Sequence, residues 1–209
     1  MDDTMVVALF RHGITEDNKR RVYLGWSDSS ICKTEEQRIS PYPNRFDHYY
    51  TSDLQRCIQT SHLLFPRVVP TLVPEFRELN FGDWERCTYE GLKGDMHYQR
   101  WLNNFEMTAP PNGEHLADFR SRIQVGWHKC MQQSTGNRIA IITHGGVIRS
   151  LLAEFAPEPK DFWDWKIPYG AGYELRFTKE HLRRGEKCIS LQEVPSTEKG
   201  RGSQKRINY

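Results

Sequence analysis

The sequence predicts an α/β sandwich in which helices cover a sheet of parallel strands. Met5–Phe10 is a short Val-rich apolar run and Arg138–Thr143 carries an equally apolar Ile-rich one. Near-continuous runs of this length are typical of strands buried on both faces. Between the strand-like runs lie stretches with apolar residues at helical spacing, and such alternation favours layered α/β packing. With 209 residues, 37% hydrophobic and 27% charged, the chain can bury a single core.

Met5–Phe10 is the first expected strand, and Tyr49–Ser52 the second, ending at a polar cluster. Ser52 and Gln55 have capping-box spacing, which predicts a helix with Ser52 as N-cap, running to about Phe65 and stopped by Pro66. Asn112 is expected to open a second helix, striped by Leu116, Phe119, Ile123 and Trp127 and ending near Gly136. After the strand Arg138–Thr143, Gly145 and Gly146 lead into a third helix with Val147, Leu151 and Leu152 on its apolar side. Tyr173–Thr178 and Lys187–Val194 alternate apolar and polar residues and supply two more strands. The folded domain is expected over 1–195. Residues 196–209 carry four basic residues, Glu198 and almost nothing apolar, the composition of a disordered tail.

Several functional classes fit poorly. No apolar run approaches the roughly 20 residues that span a bilayer, and Asp2 and Asp3 precede the first run where a secretory signal carries basic residues. Lys and Arg number 29 against 27 Asp and Glu, a formal net charge of +2. Neither this balance nor the four tail cations supports a nucleic-acid partner. Five scattered cysteines without CxxC pairs favour reduced thiols and a cytoplasmic location.

The chemistry concentrates where two strands end. Leu9-Phe10 runs into Arg11-His12-Gly13, and Ile141-Ile142-Thr143 runs into His144-Gly145-Gly146. Ligands of open α/β sheets bind outside the carboxyl ends of strands. A lone His there is more often a strand cap or a core residue, but two in the same context point to a site. Neither has HxH or HxxxH spacing or an adjacent acidic cluster, so no metal is expected. A neutral imidazole is a good nucleophile near pH 7. Arg11 and Arg56 could supply the planar donors that a phosphoryl group needs.

These residues resemble the histidine phosphatase superfamily, the phosphoglycerate-mutase-like group. The resemblance rests on Arg11-His12-Gly13 with Thr15 and Asn18, Gly25-Trp26 with Asp28, and Ser52-Asp53-Leu54 with Arg56. It continues through Glu78, Phe81-Gly82-Asp83-Trp84-Glu85, Pro111 with Gly113-Glu114, and His144-Gly145-Gly146, all in family order. It implies a three-layer α/β/α sandwich with a mostly parallel central sheet. It also implies that His12 becomes phosphorylated, that Arg11, Arg56 and His144 hold the phosphoryl oxygens with help from Thr15, Asn18 and Gly145, and that Glu78 is general acid and then base. No metal or other cofactor is implied. The partner is a small phosphate monoester, and a homodimer is left open.

Within the family, the string Phe81–Glu85 is similar to the alpha-ribazole phosphatase and broad-specificity branch. Leu79-Asn80 follows Glu78 where mutases carry a basic residue. Hydrolysis is therefore expected over mutase-type phosphoryl transfer or non-catalytic phospho-ligand binding, with alpha-ribazole 5'-phosphate or a small sugar phosphate as substrate. Trp26 and Trp84 are expected at the substrate. Tyr98, Trp101 and Phe105, at three- and four-residue spacing, are expected mainly to pack their helix. Ile14, Leu24, the segment Ser29-Ser30-Ile31-Cys32, and His115 in place of a common Ser depart from the family pattern.

Overall fold

The computed structural model describes residues 4–194; the expected boundary at 195 and the tail over 196–209 lie outside the described residues. The strands are β1 (Thr4–Arg11), β2 (His48–Thr51), β3 (Thr71–Leu72), β4 (Arg138–Thr143), β5 (Gly172–Thr178) and β6 (Ser190–Val194). They form one sheet in the order β3-β2-β4-β1-β5-β6. The first four are mutually parallel, and β5 and β6 join antiparallel at one edge. The helices are α1 (Glu16–Lys19), α2 (Lys33–Glu36), α3 (Gln55–Leu64), α4 (Tyr89–Leu92), α5 (Met96–Asn103), α6 (Leu116–Gln133), α7 (Gly145–Phe155) and α8 (Lys179–Arg184). None of the described helices is long and apolar enough to cross a membrane.

Alternation along the central strands builds two cores. Met5, Val7 and Leu9 of β1 and Ile139 and Ile141 of β4 face a core completed by α6 and α7 through Phe119, Ile123, Trp127, Leu151 and Phe155. Ala8, Phe10, Ala140 and Ile142 face the other side, where α3 contributes Cys57 and Leu64. There Phe10 meets Tyr42, Phe46 and Phe65 edge-on, with centroids 5.0, 6.3 and 5.7 Å away. Burial on both faces explains why these strands read as continuous apolar runs. A third cluster, Trp84, Leu92, Tyr98 and Trp101, packs α4 and α5 together beside the carboxyl edge of the sheet.

Two expected helix starts are corrected. α3 begins at Gln55 with Leu54 as N-cap and no cap from its own side chain. Asp28 Oδ1 accepts the Gln55 N–H at 2.9 Å from across the chain, so Ser52 is free for other work. α6 begins at Leu116, not Asn112, which lies in a left-handed turn at φ 54°. His115 is the N-cap, and its Nδ1 accepts the Ala117 N–H at 3.4 Å, which gives this departure from the family pattern a capping role here. The preceding turn presses on Gly82 at φ +53°, where a Cβ would lie 2.1 Å from Pro111 O; only glycine fits. β3, two exposed residues, has no sequence signature.

Ile141 is fully buried between β1, β2 and the helical layer. Ile141→Ala is expected to cost about 2–5 kcal/mol in urea unfolding. A loss below about 1 kcal/mol would contradict a sheet covered on both faces.

Candidate active site

β1 and β4 deliver the two imidazoles side by side. Arg11 pairs with Thr143 in the parallel ladder, and the His12 N–H donates to Thr143 O at 2.9 Å. The rings of His12 and His144, one residue beyond each strand, lie 5.2 Å apart at their centroids, and both are buried. His12 Nδ1 is 2.7 Å from Gly13 O. A carbonyl only accepts, so Nδ1 carries the proton and Nε2 is left with its lone pair. Burial first, then the charges of Arg56 and Arg11, push the His12 pKa well below 6.5, which keeps the ring neutral.

Arg56 occupies the first turn of α3 and has no solvent exposure. Its Nη2 and Nη1 donate to Gly25 O at 2.6 Å and Ser27 O at 3.0 Å, and its Nε donates to His144 Nδ1 at 3.3 Å. That bond puts the His144 proton on Nε2, which donates to Ser52 Oγ at 2.9 Å. Burial and then Arg56 hold the His144 pKa well below 6.5 too. Glu85 fixes the loop that supplies the carbonyls: its carboxylate accepts from the N–H groups of Gly25, Trp26 and Ser27 at 3.1, 2.8 and 3.2 Å. Cys57 Sγ lies 3.4 Å from His144 Nε2, but burial pushes the thiol up to about 12, so it is no rival nucleophile.

Arg11 donates from Nη1 to Ile167 O at 2.7 Å, and its guanidinium lies 3.7 Å from the centroid of the Tyr169 ring. Its Nε is buried without a hydrogen-bond partner. An unpaired buried donor of a cation is costly, and an anion oxygen would satisfy it.

Glu78 enters from the opposite side. Its carboxylate accepts the Leu79 N–H at 3.0 Å and the Gly146 N–H, in the first turn of α7, at 3.0 Å. Its carbonyl accepts from Trp26 Nε1 at 2.9 Å and Arg122 Nη2 at 3.3 Å. Arg122 also pairs with Glu114 at 2.7 Å. A Cβ on Gly146 would lie 2.2 Å from Glu78 Oε1, so the glycine makes the approach possible. Beyond Glu78 opens a cleft walled by Tyr23, Phe81, Trp101, Phe105, Phe119 and Trp163, with Arg149 also on its surface.

Of the residues singled out in the sequence, the structure brings together His12, His144, Arg11, Arg56, Glu78 and Gly145. Trp84 is corrected: it is 2% exposed, inside the aromatic cluster and away from the cleft lining. Trp26, 38% exposed, steadies the Glu78 carbonyl. Thr15 and Asn18 form a reciprocal cap on α1: Thr15 Oγ1 accepts the Asn18 N–H and Asn18 Oδ1 accepts the Thr15 N–H, both at 3.1 Å. Trp101 and Phe105 both pack α5 and line the cleft. Sequence reading missed Arg149, although it lies four residues after Gly145, on the helical spacing that returns it to the same side of α7.

A family model described as "Histidine phosphatase superfamily (branch 1)" matches residues 7–185. The chain is 26% identical over 176 residues to adenosylcobalamin/alpha-ribazole phosphatase of Escherichia coli (strain K12), covering 79% of this chain and 87% of that protein. It is also 26% identical over 166 residues to phosphoglycerate mutase of Schizosaccharomyces pombe, covering 71% and 78%. The fold superposes on the crystal structure of the alpha-ribazole phosphatase from Shigella flexneri with a TM-score of 0.80, at 22% identity, over 95% of this chain and 100% of that one.

The two depressed imidazoles link stability to pH. Unfolded, both bind protons near pH 6.5; folded, both resist until well below it. As pH falls below about 6.5 the unfolded chain therefore binds more protons, and stability drops by up to about 1.4 kcal/mol per pH unit for each ring. The urea midpoint is expected to be lower at pH 5.5 than at pH 7.5, with a shallower dependence in His144→Gln. An identical dependence in that variant would contradict the assignment for His144.

Proposed function

The chain belongs to the histidine phosphatase superfamily, branch 1, and from that premise we propose that it hydrolyses small phosphate monoesters through a phosphohistidine at His12. The observation that carries the proposal is the His12 ring itself. It is neutral, its proton is held on Nδ1 by Gly13 O, and charged guanidinium groups stand beside it.

His12 Nε2 attacks phosphorus and the bond to the leaving oxygen breaks. Glu78 gives its proton to that oxygen, because an alkoxide is a poor leaving group. Arg11 Nε, Arg56 and the Gly145 N–H at the start of α7 take up the charge on the non-bridging oxygens. His144, fixed between Arg56 and Ser52, completes the phosphoryl pocket. Water then attacks phosphorus, Glu78 takes its proton, and the P–N bond breaks to release inorganic phosphate and restore His12. None of these steps calls on a metal ion.

Relatives of both kinds, phosphatase and mutase, stand behind the family assignment. Hydrolysis is favoured because a mutase must hold a bisphosphorylated intermediate with several extra cations, whereas Leu79 follows Glu78 here and, among the described residues, the largely aromatic cleft wall carries the single cation Arg149. Alpha-ribazole 5'-phosphate, after the relative that bears its name, and small sugar phosphates are the first substrates to assay. Rings in the cleft would suit a substrate whose alcohol bears a flat base. Five free cysteines support a reducing, cytoplasmic setting.

p-Nitrophenyl phosphate should be hydrolysed in the presence of EDTA, with His12→Ala lowering kcat by at least about a thousandfold. Turnover that depends on added divalent metal, or an active His12→Ala, would sink the mechanism. Isomerisation of 3-phosphoglycerate faster than its hydrolysis would replace the phosphatase by the mutase. The low pKa of His12 keeps the nucleophile unprotonated in mild acid, so the acid limb of kcat/KM should fall well below pH 6.5. A limb at 6.5 or above would contradict that reading.

A further inference from the structure

Arg149 is a cation that the hydrolytic steps above do not use. It sits one turn along α7, half-buried, with Nε donating to Trp165 O at 3.2 Å. Its guanidinium carbon lies 5.6 Å from the Trp163 ring centroid and 6.0 Å from that of Phe162. Among the described residues it forms no ion pair with a carboxylate. Instead it stands beside another arginine: a Cβ built on Gly145 would lie 3.3 Å from Arg149 Nη1 and 3.4 Å from Arg11 Cζ. Burial, and after it the Arg11 charge, lower its pKa. Two guanidinium groups this close, one with an unpartnered buried Nε, make a place short of acceptor oxygens.

The two arginines stand in different surroundings, Arg149 on the cleft wall and Arg11 against Tyr169 and the Ile167 carbonyl. Arg11 adjoins His12 in sequence and is one of the charges acting on its ring. Arg149 lines the cleft that holds Glu78 and Gly146. Since Glu78 delivers its proton to the departing oxygen, that cleft receives the alcohol, and Arg149 is on the alcohol's side.

We propose that Arg149 is a specificity-determining residue that reads the leaving group, its Nη groups donating to oxygen substituents on the carbons next to the ester. Phosphate esters of polyhydroxylated alcohols would then be selected over esters of bare aryl or alkyl alcohols. A site built to hydrogen-bond a substrate oxygen discriminates strongly against an analogue without it. This inference rests on the phosphatase reading and assigns the residue that selects among its substrates.

The test compares ribose 5-phosphate with phenyl phosphate, measuring kcat/KM for both on each preparation of wild type, Arg149→Met and Arg149→Lys. In Arg149→Met the ratio of ribose 5-phosphate to phenyl phosphate is expected to fall about tenfold or more, chiefly through KM for the sugar ester, as loss of a charge-assisted hydrogen bond implies. Arg149→Lys should lie between the two. The ratio does not depend on how much of a preparation is folded, and if the Met variant is inert the Lys variant decides. An unchanged ratio overturns the proposal, because Arg149 would then serve the phosphoryl group or the fold alone. A wild type inert towards both esters overturns the phosphatase reading beneath it.

Discussion

Arg11 faces Thr143 across the parallel ladder of β1 and β4, and the site depends on that register. It places Leu9 opposite Ile141 and Phe10 opposite Ile142, so each pair buries on a common face. A slip of one residue would turn every one of these side chains to the wrong core. Two apolar cores thus lock the register, and the register sets His12 beside His144. The same edge receives Ser52 from β2, whose N–H donates to Ile142 O at 3.0 Å. Hydrophobic packing far from the chemistry therefore fixes the positions of the polar groups that carry it.

Around those rings the protein buries charge. Arg56 is wholly buried, and carbonyls of the 25–27 loop together with His144 accept its hydrogen bonds. Carbonyl acceptors hold a guanidinium without neutralising it, as a paired carboxylate would. Burial depresses both imidazoles first and the arginine charges add to it, and those same charges would attract a phosphoryl group. Glu78, the proposed general acid, is held by backbone N–H groups of Leu79 and Gly146. The proposed nucleophile His12, the arginines and Glu78 thus come from different elements and meet at one edge of the sheet.

The central strands and the start of α7 were legible in the sequence because double-sided burial leaves a continuous apolar run and because Gly145-Gly146 follows His144 directly. The α3 start was not, because the cap that won is Asp28, far away in sequence, and Ser52 had a partner in His144. Asn112 looked like a helix start but is held in a turn by Asp83, to which its Nδ2 donates at 2.9 Å. Trp84 was misplaced because aromatic spacing alone does not say which ring fills a cluster and which lines a cleft. Nothing in local pattern separates Glu78 from the other acids; only family resemblance singled it out. Arg149 was overlooked for the converse reason, since its partners Arg11 and Trp165 come from distant segments.

The most direct test of the central claim is to trap the enzyme during turnover and read the site of phosphate attachment by 31P NMR and peptide mapping. A single phosphoramidate on Nε2 of His12, labile in acid and stable in base, is the predicted result. Attachment at Nδ1, at His144 or at a carboxylate, or turnover with no covalent intermediate in rapid quench, would contradict it.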